Sequence, residues 1–323
     1  MSSAASYLPL LQRYFTRYGM TTYNVLGNIG LVFNMMLFLW PVFRRNPCSI
    51  YIFAASLTGL IGLNISTIPV IHALDHPNPS TVSVRFCELQ FYFRHSFNQM
   101  MRTYFICACI DRYAISSGNK RIRSFSRFRI AVYIIISVPI FWFLLALWPN
   151  TLNTLENGRC GGKKGLSAII LSIYMTLVVG IIPLLGMIIF GLLMLKNLRN
   201  VRSRVQPNLM VGVSAPRIHK RDRDMTRMLL IEIVGYIITI APFTINLLYQ
   251  SATQTVTKSV DRQLIESFST YFNGTFLIYM NNSFSFWIYI CVSRTFRSEV
   301  KNLCLKCCKM ISNQPTQWNT SVT

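Results

Sequence analysis

Seven long apolar blocks, at about 22–43, 49–74, 86–113, 129–149, 167–195, 225–250 and 264–292, alternate with short polar connections. Each reaches or exceeds the roughly 20 residues an α-helix needs to cross a hydrocarbon core. Lipid offers no partner to backbone N–H and C=O groups, so blocks of this length are helices that bond internally. The pattern predicts an all-α membrane protein: an N-terminal segment over 1–21, then a seven-helix bundle over 22–292. Beyond it, Phe296, Val300 and Leu303 recur at helical spacing among Arg294, Arg297 and Lys301. That predicts a short amphipathic eighth helix over 293–303, lying in the interface, and a tail over 304–323.

Charge sets the orientation. One set of connections carries Arg44 and Arg45, then Lys120, Arg121, Arg123, Arg127 and Arg129, then the basic stretch Lys196 to Arg223, and finally Arg294, Arg297, Lys301, Lys306 and Lys309. The opposite set holds far fewer: Arg13, Arg17, Arg85, Arg159, Lys163, Lys164, Lys258 and Arg262. Short loops rich in Lys and Arg stay in the cytoplasm, so the N-terminus is expected outside and the C-terminus inside, in a multi-pass plasma-membrane protein.

Composition agrees. The chain is 52% hydrophobic and only 13% charged, against about 25% charged for a soluble domain. A net charge of +22 would suggest nucleic acid, but the charges sit in membrane-flanking loops and read as a topology signal with attraction to anionic inner-leaflet lipid. No nucleic-acid partner is expected. The first 20 residues lack an apolar core followed by a small-residue cleavage site, so the first span is expected to act as its own insertion signal. Nine cysteines form no paired set on a soluble loop, and His72, His76, His95 and His219 are dispersed. Neither a metal site, a cofactor nor an enzyme is expected. Cys304, Cys307 and Cys308 lie beside basic residues at the inner surface and suit lipidation, with a zinc cluster as the rival.

Asp111-Arg112-Tyr113 ends the third span on the basic side, and Cys87 lies 25 residues before Arg112, at the outer end of the same helix. With Pro183 in the fifth span, Pro242 in the sixth, Gly27-Asn28 in the first (Asn34 being a rival) and Tyr289 seven residues before Phe296, this resembles the rhodopsin-like G-protein-coupled receptors over about residues 22–303. The resemblance implies a disulfide from Cys87 to Cys160, helix-kinking prolines at 183 and 242, and a cytoplasmic switch built on Asp111, Arg112, Tyr113 and Tyr289. It also implies that Asp222, twenty residues before Pro242, pairs with Arg112 at rest; alternatively Asp222 pairs within its own Arg-Asp-Arg-Asp run. Pulling the sixth helix outward would break such a pair and open a cavity for a heterotrimeric G protein.

The chain departs from that family in three places. No aspartate stands in the second span around Ala54 to Leu60, Ile240 replaces the tryptophan before the sixth-span proline, and Ser285-Phe286 replaces the Asn-Pro of the seventh-span motif. The resemblance is therefore to a divergent receptor, close to invertebrate neuropeptide or orphan groups. Arg94, with Asn98 one turn inward, stands where aminergic members hold an aspartate; an arginine there repels an amine and invites a carboxylate or an acidic peptide. The expected ligand is a peptide and not a monoamine, in a pocket including Arg94, Asn98, Tyr249 and Tyr271. Arg94 could instead snorkel outward or pair with Glu88 or Glu266. A charged residue deep in a span needs a partner, and Glu232 in the sixth span is such a residue. A small-solute transporter or a non-coupling seven-helix protein is the alternative, but no half-to-half repeat is visible. A retinal-bound opsin is excluded by the absence of lysine between Arg262 and Cys291.

Overall fold

The first helix begins far upstream of the first apolar block. In the computed structural model, which describes residues 3–40, 43, 46–156, 159–163, 165–204, 215–253 and 256–312, Ser3–Tyr14 runs through a wider π turn, Phe15–Met20, into Thr21–Phe38. Side chains of 3–6, 156, 159, 198–204, 215–222 and 307–312 lie outside that description. The second span, Pro47–His72, starts where Asn46 caps it through a bond from the Cys48 N–H, with Pro47 in the first turn. The third, Val84–Ser116, starts at Ser83, whose Oγ accepts from the Phe86 N–H. The fourth is Phe128–Thr151, and the fifth runs as Leu166–Tyr174, a π turn Met175–Ile181, and Ile182–Arg204. The sixth is Ala215–Ala252, and the seventh runs as Val260–Tyr271, a π turn Phe272–Leu277, and Ile278–Val292. The eighth helix, Arg294–Ser312, continues well beyond residue 303.

The result is an all-α seven-helix membrane bundle. Four helices among the described residues are long and apolar enough on composition alone to cross a membrane: the second, fourth, fifth and sixth. The third and seventh fall short because they carry the polar side chains of the core, including Arg102, Arg112, Asn281 and Asn282. Burial follows position. The second span is 61% buried and the fourth only 22%, because the fourth lies at the rim with Ile136, Ile140 and Leu144 turned outward. The third span is central, touching the second, fourth, fifth and sixth.

Small residues set the closest approach of the first and seventh spans. A Cβ added at Gly30 would lie 2.8 Å from the Phe286 Cβ, and one at Gly27 would strike Ser283 and Leu63, the small-residue contact expected where lipid supplies no hydrophobic drive between helices. Pro183 follows directly on the fifth-span π turn. A proline lacks an N–H and crowds the preceding turn, and a widened turn there accommodates both. Pro242 lies within the continuous sixth helix.

Candidate functional site

At the C-terminal end of the third span, Arg112 is 2% exposed and Asp111 5% exposed. The guanidinium bonds Asp111 Oδ2 from Nη2 at 2.6 Å and from Nε at 3.1 Å. Ser126, from the second inner loop, donates to the other carboxylate oxygen. Arg112 Nη2 also donates to Asn46 Oδ1 at 2.8 Å, so the residue that caps the second span also clasps the third-span arginine. Asn46 Nδ2 lies 3.7 Å from Met225 Sδ on the sixth span. Tyr113 packs its ring against Phe190 of the fifth span. A buried charge near hydrocarbon is tolerable only when paired and hydrogen-bonded, and this cluster meets that condition. Asp222 falls in the sixth helix with its side chain outside the described residues.

Two residues further on, Asp224 is buried and accepts from Thr295 Oγ1 at 2.6 Å and Ser293 Oγ at 3.4 Å. It ties the inner end of the sixth span to the junction of the seventh and eighth helices. Tyr289 is fully buried in that junction, with its ring 5.7 Å from Phe296 and 6.3 Å from Phe38. Higher in the bundle, Ser285 donates to Glu232 Oε1 at 2.7 Å, so the serine at the altered seventh-span motif holds the buried sixth-span carboxyl.

The outer half is organised separately. Cys87 and Cys160 form a disulfide, with Cα atoms 5.7 Å apart. Cys160 lies on a hairpin, β1 (Asn153–Glu156) with antiparallel β2 (Arg159–Gly162), opposite Leu155, and Asn153 Nδ2 lies against both sulfurs. Arg94 is half-buried, stacks over Phe91 at 6.0 Å, and has no carboxylate partner among the described residues; Glu266 is taken by Lys258 and Arg262 instead. Asn98 bonds the Arg94 carbonyl at 2.7 Å and Ser66 Oγ at 3.2 Å, and accepts from Asn282 at 2.8 Å. Tyr271 bonds Thr16 of the extended first helix, while Tyr249 faces Arg262 and Glu266. The four pocket candidates are thus engaged by different neighbours. Cys304 is exposed, and the side chains of Cys307 and Cys308 lie outside the described residues.

The sequence profile of the 7 transmembrane receptor (rhodopsin family) matches residues 31–293. This chain belongs to that family. It is a multi-pass membrane receptor of the G-protein-coupled type, with a disulfide between Cys87 and Cys160. No curated protein matches the chain closely enough to suggest a particular receptor.

Sequence reasoning on this receptor missed Asn46, Ser126 and Asp224. The Asn46-Pro47 pair carries a helix-start signature, but nothing in it announces a second role on Arg112. A hydrogen bond to a charged group contributes about 1.5–3 kcal/mol. Asn46→Ala is therefore expected to shift the resting equilibrium toward release of Arg112 by about tenfold, seen as a severalfold rise in ligand-independent signalling at equal surface level. An unchanged basal signal would mean that Asn46 only caps its helix.

Proposed function

We propose that this receptor converts binding of an extracellular peptide into heterotrimeric G-protein activation, with Arg112 as the coupling residue and the N-terminus outside the plasma membrane. The observation that carries the reading is the closed cluster at the cytoplasmic end: a buried Arg112 held by Asp111 from its own helix and by Asn46 from the first loop. Asn46 in turn reaches the sixth span, and Asp224 ties that span to the seventh. A sixth span that swings outward must break Asp224 from Thr295 and loosen Asn46 from Met225, weakening the hold on Arg112 and opening it to a cytoplasmic partner. Such an element has two discrete arrangements that a ligand can bias.

The preference for a peptide over a monoamine rests on Arg94, a half-buried cation with no carboxylate partner among the described residues. It accepts an acidic or C-terminal carboxylate group and repels an ammonium. Tyr289 and Tyr113 serve as packing elements of the switch, and Cys304, Cys307 and Cys308 as lipid attachment points beside it.

The test is G-protein dissociation in cells expressing the chain, across a panel of Gα subtypes, with a neuropeptide library and a monoamine library. A peptide-dependent signal with silence from the amines is the expected result. Silence across every Gα subtype, with receptor at the surface, would favour a non-coupling protein or a small-solute transporter.

A further inference from the structure

A cavity of about 650 Å³ lies between the outer halves of the sixth and seventh spans, away from Arg94 and Asn98. Ile245 and Ile265 on its walls are 66% and 59% exposed, which at this depth means contact with lipid. A surface facing hydrocarbon would be expected to be apolar throughout. Here it carries a part-buried polar ladder: Ser269 donates to Asn246 Oδ1 at 3.3 Å, and Asn273 Nδ2 donates to Ser269 Oγ at 3.1 Å.

The ladder is incomplete. Asn246, which lines the cavity, is 9% exposed, and its side-chain bond among the described residues uses only Oδ1, which leaves its amide N–H groups without a partner there. An amide N–H without a partner in such a place is costly, and a ligand carbonyl would satisfy it. Tyr249 is three residues beyond Asn246 and Glu266 three before Ser269, so by helix rise the cavity's charged rim sits about 4.5 Å above the ladder. At that rim two cations, Lys258 and Arg262, share the single carboxylate of Glu266. Arg262 uses Nε and Nη2 on Tyr249 and Glu266, with no bond to Nη1 among the described residues.

The order from the rim inward is a guanidinium whose Nη1 has no bond among the described residues, an N–H donor of Asn246 about one turn deeper, and then apolar walls that open to lipid. We propose that this cavity is a lateral binding site for a single-chain acyl amphiphile whose anionic headgroup is joined through an amide or ester. The anion lies on Arg262, the linking carbonyl accepts from Asn246, and the chain passes Ile245 and Pro242 into the outer leaflet. The site presses on the segment around Pro242, so its occupant bears on the same sixth span that closes over Arg112. Placing this end outside rests on the topology proposed above; the site itself does not depend on G-protein coupling.

The test measures binding of radiolabelled N-oleoylglycine to the full-length receptor in phosphatidylcholine nanodiscs, with empty discs subtracted. Competitors are 1-oleoyl lysophosphatidate, oleate (which lacks the linkage) and the uncharged methyl ester of N-oleoylglycine. Saturable binding is expected, with oleate and the methyl ester each about tenfold weaker, the loss of one good hydrogen bond or charge contact. Arg262→Gln should weaken the anionic ligands about tenfold and leave the methyl ester unchanged. Ile265→Trp, at an exposed position that does not support the fold, should block all of them. Displacement by the lysophosphatidate at lower concentration than by unlabelled N-oleoylglycine would assign the site to a phospholipid source, and the reverse order to a fatty-amide source. Binding no greater than in empty discs, or saturable binding indifferent to both substitutions, would overturn the proposal. A receptor that binds these lipids but activates no G protein would overturn the proposed function and leave this site standing.

Discussion

Arg112→Ala is expected to abolish ligand-driven G-protein activation, by tenfold or more, while Asn46→Ala raises the basal signal. The opposite signs follow from what each change removes. Asn46 is one latch on the guanidinium, so its loss loosens the hold on Arg112 and keeps the charged group that an open cytoplasmic cavity presents. Removing Arg112 frees the same latch and deletes that group. It also leaves Asp111, 5% exposed, with Ser126 in place of its ion-pair partner. Stranding one member of a buried pair costs about 3–5 kcal/mol, so part of the loss would appear as lower surface expression. The measurement is therefore signal per surface receptor, from cells titrated to equal surface level. A normal signal from Arg112→Ala at equal level would remove the arginine from the coupling mechanism.

Cys87→Ser is expected to deplete the receptor from the cell surface. The bridge closes a separation of 73 residues, and in the chain-entropy account a loop of that size contributes about 4 kcal/mol. The loss falls on one place. The hairpin Asn153–Glu156 with Arg159–Gly162 is pinned to the top of the third span through Cys160, and without the bond it keeps only its non-covalent packing on the neighbouring helices. Against a total stability of about 5–15 kcal/mol for a folded domain, a deficit of that size is large. Surface labelling of Cys87→Ser, Cys160→Ser and the double substitution checks it: the three should fall together, because the second substitution removes a bond already lost. A double variant much worse than either single would show that the cysteines act separately.

The spans and their order were legible because hydropathy and the backbone's need for internal hydrogen bonds act locally. The disulfide and Arg112 were legible because each stands at a position a short motif marks. What escaped depends on contacts between distant segments. Asn46 reads as a helix cap, and only the folded register brings it to Arg112. Asp224 was not singled out because it lies in the same charged run as Asp222, and only the folded register brings it to Thr295. The partner of Glu232 became visible only when Ser285 was placed opposite it. Ser3 to Met20 read as an outer segment because Ser2, Ser3, Arg13, Thr16 and Arg17 interrupt the apolar pattern; packing on the seventh span, through Thr16 and Tyr271, extends the helix regardless. The π turns in three spans carry no sequence signature of their own, apart from Pro183 immediately beyond one of them.

The most direct test of the switch is a distance measured across it. Spin labels carried on unnatural residues at Arg227, exposed on the inner half of the sixth span, and Tyr133, exposed on the fourth, report the opening without using the native cysteines. Pulsed electron resonance would compare the receptor alone with the receptor bound to nucleotide-free G protein of a coupling subtype. The account predicts that the distance lengthens by several ångströms on G-protein binding, and that Asn46→Ala populates the longer distance even without it. A G-protein-bound receptor with the same distance distribution as the free one would contradict it.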